Sequence, residues 1–268
     1  MNRNQTKDLS IQISLSGLSF CILNRDTNTI ELLKYQAFEK KRNPIELLES
    51  LKKTISSYPE LSQSFALVTA IYQNELSALV PKAYFDEEQM ANYLKFNSKI
   101  LASDFISYDE IAANESVNVY VPYMNISNFI FDTYGAFEYK HAATILIDTV
   151  LRKEAFDDGA TVFVNLKPNY FELIAVKERQ LLLCNSFEYF TNEDVLYYLM
   201  FALEQLRLSP ESVKLKLTGQ ITKDAALFEM IYTYVRFVEL HEPTYTFGFS
   251  DSAKPVQAHQ SYIILNSF

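Results

Sequence analysis

Three strand-like segments, a capped helix and a fourth strand occur in that order twice in this chain, the copies about 150 residues apart. A repeated unit of this size constrains the fold more than any composition figure, because consecutive elements usually pack as neighbours around a shared core. In the first copy Leu9, Ile11 and Ile13 alternate with polar residues. The turn Ser14-Leu15-Ser16-Gly17 follows, and Phe20 and Ile22 resume the alternation. A third run, Ile30 to Phe38, comes after the polar turn "NRDTNT". Asn43 is then placed to cap a helix, Pro44 suits its first position, and Glu46 completes a capping-box spacing. Ile45, Leu48, Leu51 and Ile55 form the expected apolar stripe, and Phe65 to Ile71 reads as a buried strand.

The second copy has strands at Thr161–Leu166, Tyr170–Val176 and Gln180–Phe187. Its helix is capped by Thr191, carries Val195, Leu199, Leu203 and Leu206 inward, and has Phe190 and Val195 at hydrophobic-staple positions. The strand "VKLKLTG" follows. The implied class is α/β, with duplicated β-β-β-α-β lobes, residues 1–155 and 156–268, facing each other across a cleft.

Between the copies, Asp86 is expected to begin a helix, "SYDEIAANES" to be an exposed loop and "VNVYVPY" a strand. "ISNFIFDTYG" reads as a short helix ended by Gly135, and the run from Ala142 to Val150 as a strand. The lobe boundary is placed in "RKEAFDDG". Thr222 starts a further helix with Phe228, Ile231 and Val235 inward, a polar loop occupies roughly residues 243–260, and "SYIILNSF" fits either a strand or a final helical turn. The two Tyr/Phe-rich helices are expected to be committed mostly to packing.

Several chemistries are disfavoured. A formal charge of −9 and a pI near 5.0 argue against a nucleic-acid partner, which requires a concentrated basic face. No stretch approaches the ~20 apolar residues of a membrane span, and the N-terminus lacks a signal peptide's apolar core, so a cytoplasmic location is expected. Cys21 and Cys184 read as reduced, buried thiols. His141, His241 and His259 have no metal-ligand spacing, so no metal site is expected, and His241 is expected to be exposed. There is no GxSxG elbow, Walker A loop or GxGxxG. With only 5 glycines, the chain has little material for phosphate-cradling loops.

Three strands, a helix and a strand, duplicated, resemble the actin-like ATPase fold of ribonuclease H-like architecture. The segment Leu206 to Pro243 resembles that family's passage of helix end, strand, glycine turn and helix beside adenosine. The whole chain also resembles an uncharacterised bacterial family of unknown function assigned this fold, with pilus-assembly-type relatives. The resemblance implies an ATP site built on two hairpin turns and a Gly-rich adenosine loop, each turn carrying Asp for Mg²⁺ and Gly for phosphate. Here the first turn offers Ser14, Ser16 and Gly17 without a carboxylate. The second, Asn165-Leu166-Lys167-Pro168-Asn169, has Asn in place of the carboxylate, and Pro168 removes a backbone donor. The adenosine loop retains Gly219 alone, with Thr218 beside it as a candidate polar contact. Asp148, in the apolar run "TILIDTVL", is the candidate catalytic acid; Asp157 and Asp158 read as a plain turn.

Three readings follow. The first is a non-catalytic actin-like scaffold, a pseudo-ATPase with a plugged nucleotide site and no cofactor, acting through a protein partner or self-association. The second is an atypical ATPase or kinase-like enzyme that binds ATP with Mg²⁺, using Ser14, Ser16, Lys167 and Thr218 as polar contacts and Asp148 as the metal-holding acid. The third is a small-molecule sensor using the interlobe cleft.

Overall fold

The two hairpin-led repeats each build a mixed sheet. In the computed structural model, which describes residues 6–95, 99–101, 103–154 and 159–268, the first comprises β1 (Lys7–Ser14), β2 (Gly17–Asn24), β3 (Thr29–Ala37), α1 (Pro44–Ser57) and β4 (Leu67–Tyr72). β1 and β2 are antiparallel from Lys7↔Asn24 to Ser14↔Gly17, and β4 returns parallel to β1. After β4 come β5 (Ser77–Pro81), α2 (Met90–Lys95), β6 (Ser107–Ile111) and β7 (Ser116–Tyr120), whose strands form a separate sheet ordered β5-β7-β6. The chain then passes through α3 (Met124–Tyr134) to β8 (Glu138–His141), which joins β4 in parallel, and enters α4 (Ala142–Thr149).

The second repeat comprises β9 (Ala160–Leu166), β10 (Tyr170–Lys177), β11 (Gln180–Glu188), α5 (Asn192–Gln205), β12 (Lys214–Gly219), α6 (Ala226–Tyr234) and β13 (Phe237–Leu240). Its sheet order is β11-β10-β9-β12-β13. The first sheet has the same order, β3-β2-β1-β4-β8, with the two-residue strand β14 (Gly248–Phe249) added beside β3. The duplication therefore extends to a fifth strand in each sheet, and the β5–β7 region is an insertion in the first copy alone. The chain ends in α7 (Tyr262–Leu265), a short helix.

The packing divides into two units. One runs through Ile145 and also includes Tyr245–Val256 and Ile263–Phe268; the other is Leu146–Thr244 with Gln257–Tyr262. The boundary placed at 155/156 lies outside the described residues, as do Asp157 and Asp158. In the first unit, one face of β1 and β2 packs Leu9, Ile11, Ile13, Leu18, Phe20 and Ile22 with Leu47 and Leu51 of α1 and Ile126 and Ile130 of α3. The opposite face packs Cys21 and Leu23 with Ile71, Ala253 and Ile263–Leu265. In the second unit, Val162, Val164, Leu173, Val195, Leu199, Leu215 and Ile231 share one core.

Local signals placed the caps well. Asn43 Oδ1 accepts from the Ile45 and Glu46 amides at 3.0 Å, and Glu46 Oε2 accepts from the Asn43 amide at 3.1 Å. Thr191 and Asp194 form the equivalent box on α5. The burial phase is different from the expected stripe: α1 buries Leu47, Leu51 and Ile55, while Ile45 is 73% exposed. Phe190 is 92% exposed, so no staple forms with the buried Val195. Phe190→Ser is accordingly expected to leave the unfolding free energy from urea melts within about 0.5 kcal/mol of wild type; a loss of a kilocalorie or more would reinstate the staple.

Three further expectations are corrected. The run from Ala142 to Val150 is helix α4, followed by one π-helical turn, Val150–Glu154. Six of the eight α4 residues are buried, so it lacks the amphipathic period that separates a helix from a buried strand. "SYDEIAANES" supplies strand β6 and its hairpin turn to β7 instead of a loop. Asp86 caps only a 3₁₀ turn, Glu87–Gln89, with α2 beginning at Met90. Among the described residues, no helix is long and apolar enough to cross a membrane.

Candidate functional site

The first hairpin turn satisfies its own polar groups. Ser14 Oγ and Ser16 Oγ are 2.9 Å apart, and the Ser16 amide donates to Ser14 Oγ at 3.2 Å, an ST-type turn. The Leu15 and Ser16 carbonyls accept from the Arg42 and Phe38 amides at 2.8 and 2.9 Å. Gly17 has a packing reason: a Cβ there would lie 2.8 Å from the Gln36 carbonyl on β3. Its missing side chain lets a neighbouring strand approach.

The second turn is tied inward. Asn165, buried at the end of β9, donates from Nδ2 to Glu172 Oε2 on β10 at 2.5 Å. The Lys167 amide donates to the Tyr170 carbonyl at 2.9 Å, and Tyr189 Oη donates to the Lys167 carbonyl at 2.6 Å. Lys167 itself is half-buried. Desolvation holds its ammonium below the usual lysine range, against the pull of the Glu172 carboxylate. The same carboxylate, after burial as the larger cause, helps push the Cys184 thiol up to about 12, so neither factor favours a reactive thiolate there. Cys21 is likewise raised by burial.

Gly219 ends β12 opposite Leu166, at φ +82°. A Cβ would meet the Leu166 carbonyl oxygen at 2.2 Å and Asn165 Oδ1 at 2.6 Å, so this glycine lets the two loops touch. The Gln220 amide donates to the Leu166 carbonyl at 2.7 Å. Beside it, Thr218 Oγ1 donates to the His259 carbonyl at 2.6 Å, and His259 Nε2 donates to the Ile221 carbonyl at 2.9 Å, which assigns its proton to Nε2. Four candidates, Asn165, Lys167, Thr218 and Gly219, thus gather at one end of the second unit with Glu172 and His259. Ser14, Ser16 and Gly17 gather at the β1–β2 turn of the first.

Asp148 is only partly exposed on α4, where it accepts from Arg152 Nε at 2.8 Å in an i,i+4 pair. Such pairs contribute about 0.3–0.5 kcal/mol, an ordinary helix contact. Among the described residues, no three His, Cys, Asp or Glu side chains are grouped to hold a metal ion. His241, expected to be exposed, is buried edge-on to Phe163 and Tyr262.

Sequence reasoning missed the other buried acids. Glu172 sits at an inward position of "YFELIAV", where its place in an apolar strand was the available signal. Asp109, on β6, accepts from Tyr120 Oη at 3.2 Å and the His141 amide at 2.8 Å, and burial raises its pKa. His141 Nδ1 accepts from the Ala143 amide at 3.2 Å, so Nε2 carries the proton and donates to the Asn74 carbonyl at 3.2 Å. The imidazole acts as the cap of α4, and burial lowers its pKa to about 4. Nearby, Asn118 Nδ2 donates to Thr144 Oγ1 at 3.0 Å, tying β7 to the first turn of α4.

With this geometry established, comparisons with known proteins place the fold. No curated protein matches the sequence. A Bacteroides thetaiotaomicron protein described as having an actin-like ATPase fold and unknown function is 21% identical, with a TM-score of 0.78 over 99% of this chain and 98% of that one. The structure of a PilM-PilN type IV pilus biogenesis complex is 12% identical, with a TM-score of 0.60 over 97% and 96%. The ethanolamine utilization protein EutJ from Carboxydothermus hydrogenoformans is 7% identical, with a TM-score of 0.50 over 97% and 88%. The fold is that of actin-like ATPases. A family model matches residues 1–238, and the chain belongs to that family, described as a protein of unknown function, DUF3822.

Proposed function

We propose that this protein is a non-catalytic actin-like scaffold that works through a protein partner, without ATP or Mg²⁺. One observation carries the reading: neither hairpin turn has a carboxylate, and the polar side chains in their place bond within the fold. Ser14 bonds Ser16, Asn165 bonds Glu172, and Thr218 bonds the His259 carbonyl. A bound Mg-nucleotide would have to compete with these bonds for the same side chains. The similar PilM fold was solved as a complex with PilN, which supports a partner-binding role by analogy of fold. The free thiols, Cys21 buried and Cys184 only half-buried where burial was expected of both, support a reducing, cytoplasmic setting.

Glu172 is the observation that favours the second reading, an atypical ATPase or kinase-like enzyme. It sets a carboxylate behind the Lys167 turn, and it electrostatically favours the charged form of that lysine. The two readings separate by calorimetry with Mg-ATP and a phosphate-release assay. The scaffold predicts no binding tighter than about 1 mM and no turnover. Micromolar binding with hydrolysis, both abolished by Lys167→Ala, would establish the enzyme instead.

A further inference from the structure

The outer faces of α5 and α6 combine acids with exposed aromatic rings and carry no basic residue. Together these helices contain no Lys or Arg, although the chain has 24 such residues. They carry four acids. Asp194 is committed to the α5 cap, accepting from the Phe190 and Thr191 amides at 2.9 Å. Glu193, Glu204 and Glu229 are exposed, and no ion pair engages their carboxylates among the described residues.

Aromatic rings stand among these acids, contrary to the expectation that such helices commit their rings to packing. Tyr197 and Phe201 are 64% and 47% exposed and stack on each other at 6.2 Å with a 15° interplanar angle. On α6, Tyr232 is 60% exposed and stacks at 6.3 Å on the buried Phe228. At ~100° per residue, Glu193, Tyr197, Phe201 and Glu204 fall within about 80° of one another around α5, opposite the buried Val195, Leu199 and Leu203. The two helices pack against each other, so the faces adjoin.

We infer that this face of the second unit docks a basic amphipathic helix of a partner protein. The partner's aliphatic side chains lie on the Tyr197, Phe201 and Tyr232 rings, and its Lys or Arg residues meet Glu193, Glu204 and Glu229. Exposed aromatics are favoured interface anchors, and cations gain from both the ring faces and the carboxylates. The charge pattern chooses among occupants. A second copy would place acids against acids, and an anionic lipid surface or nucleic acid would be repelled. α5 spans about 21 Å, enough to receive a partner helix of about 14 residues.

This inference rests on the scaffold reading and names the chemistry of its partner. The test is fluorescence anisotropy of the full chain with a labelled 14-residue synthetic peptide having leucines on one helical face and lysines elsewhere. Its controls are a scrambled peptide of the same composition and a peptide with Glu in place of Lys. Expected are at least tenfold tighter binding of the patterned basic peptide than of either control, and weakening with added salt. Tyr197→Ala with Phe201→Ala, and separately Glu193→Lys with Glu204→Lys and Glu229→Lys, should each weaken binding tenfold or more while the melting temperature holds within about 2 °C. Equal binding of the scrambled peptide, or retained binding by both variants, overturns the inference. So does a dimer in sedimentation that Phe201→Ala dissolves, which would assign the face to self-association. The calorimetric ATP test is independent: peptide failure with ATP inert removes this surface alone, whereas ATP turnover removes the scaffold reading.

Discussion

Gly219→Ala is expected to destabilise the fold by about 3 kcal/mol or more, lowering the melting temperature by roughly 6–12 °C. Two costs combine at this position. The φ of +82° is unfavourable for any residue with a Cβ, and that Cβ would lie 2.2 Å from the Leu166 carbonyl oxygen and 2.8 Å from the Leu166 nitrogen. Both contacts are backbone, so no side-chain rotation relieves them. Gly135 provides the control, because it has the same φ of +82° with nothing within 4 Å of its would-be Cβ. Gly135→Ala should therefore cost only the conformational part, about 1–3 kcal/mol for its φ +82°, ψ −146° backbone. Equal melting shifts for the two variants would show that the approach of the Gly219 turn to the Leu166 turn is not what holds this glycine in place.

Acidification from pH 7 to pH 5 should cost about 2 kcal/mol of stability through His141 alone. The folded imidazole titrates at about 4, against about 6.5 for the unfolded chain, because it is buried and its Nδ1 is occupied as an acceptor. Between those values the unfolded state takes up a proton that the folded state refuses. The stabilisation is therefore whole above pH 6.5 and lost as pH falls toward 4. Asp109 has the opposite sign. Its raised carboxyl pKa means that the folded state protonates first, which offsets part of the loss at the acid end. Urea melts of wild type and His141→Asn at pH 7 and pH 5 isolate the imidazole, since Asn can cap α4 without titrating. Wild type should lose about 2 kcal/mol more than the variant across that interval, and its His141 ring resonances should stay in the neutral position at pH 5. Parallel pH dependence in the two proteins would contradict the assignment.

The duplicated order could be read because its signals are local. Strand alternation around Ile11 and Phe20, and the capping boxes at Asn43 and Thr191, act within a few residues. α4 could not be read: Ile145, Leu146 and Ile147 are all buried, and a helix covered on most sides has no polar face to betray its period. Asp109 was hidden for the opposite reason, since a polar run resembles a loop until β7 pairs with it. The candidate turns were located correctly as turns, Ser14–Gly17 and Asn165–Asn169, but their contacts depend on distant residues. Thr218 meets a carbonyl 41 positions along the chain, and no spacing rule announces that. The exposed faces of Ile45 and Phe190 were misjudged because hydrophobicity alone does not report what covers a side chain.

The return of the C-terminal residues to the first unit sets a schedule for synthesis. Ile263, Ile264 and Leu265 complete the apolar cluster around Cys21 and Ile71, yet they leave the ribosome about 120 residues after Ile145. At ~5–20 residues per second, that interval is on the order of 6–24 s, during which Cys21, Ile30 and Ile71 await their final covering. The second unit also finishes late, because His259 arrives well after Thr218. The first half does not close in its own turn: its cluster around Cys21 stays unfinished until Ile263–Leu265 emerge, whereas the core of the second unit uses no residue beyond Leu240 and awaits the His259 contact.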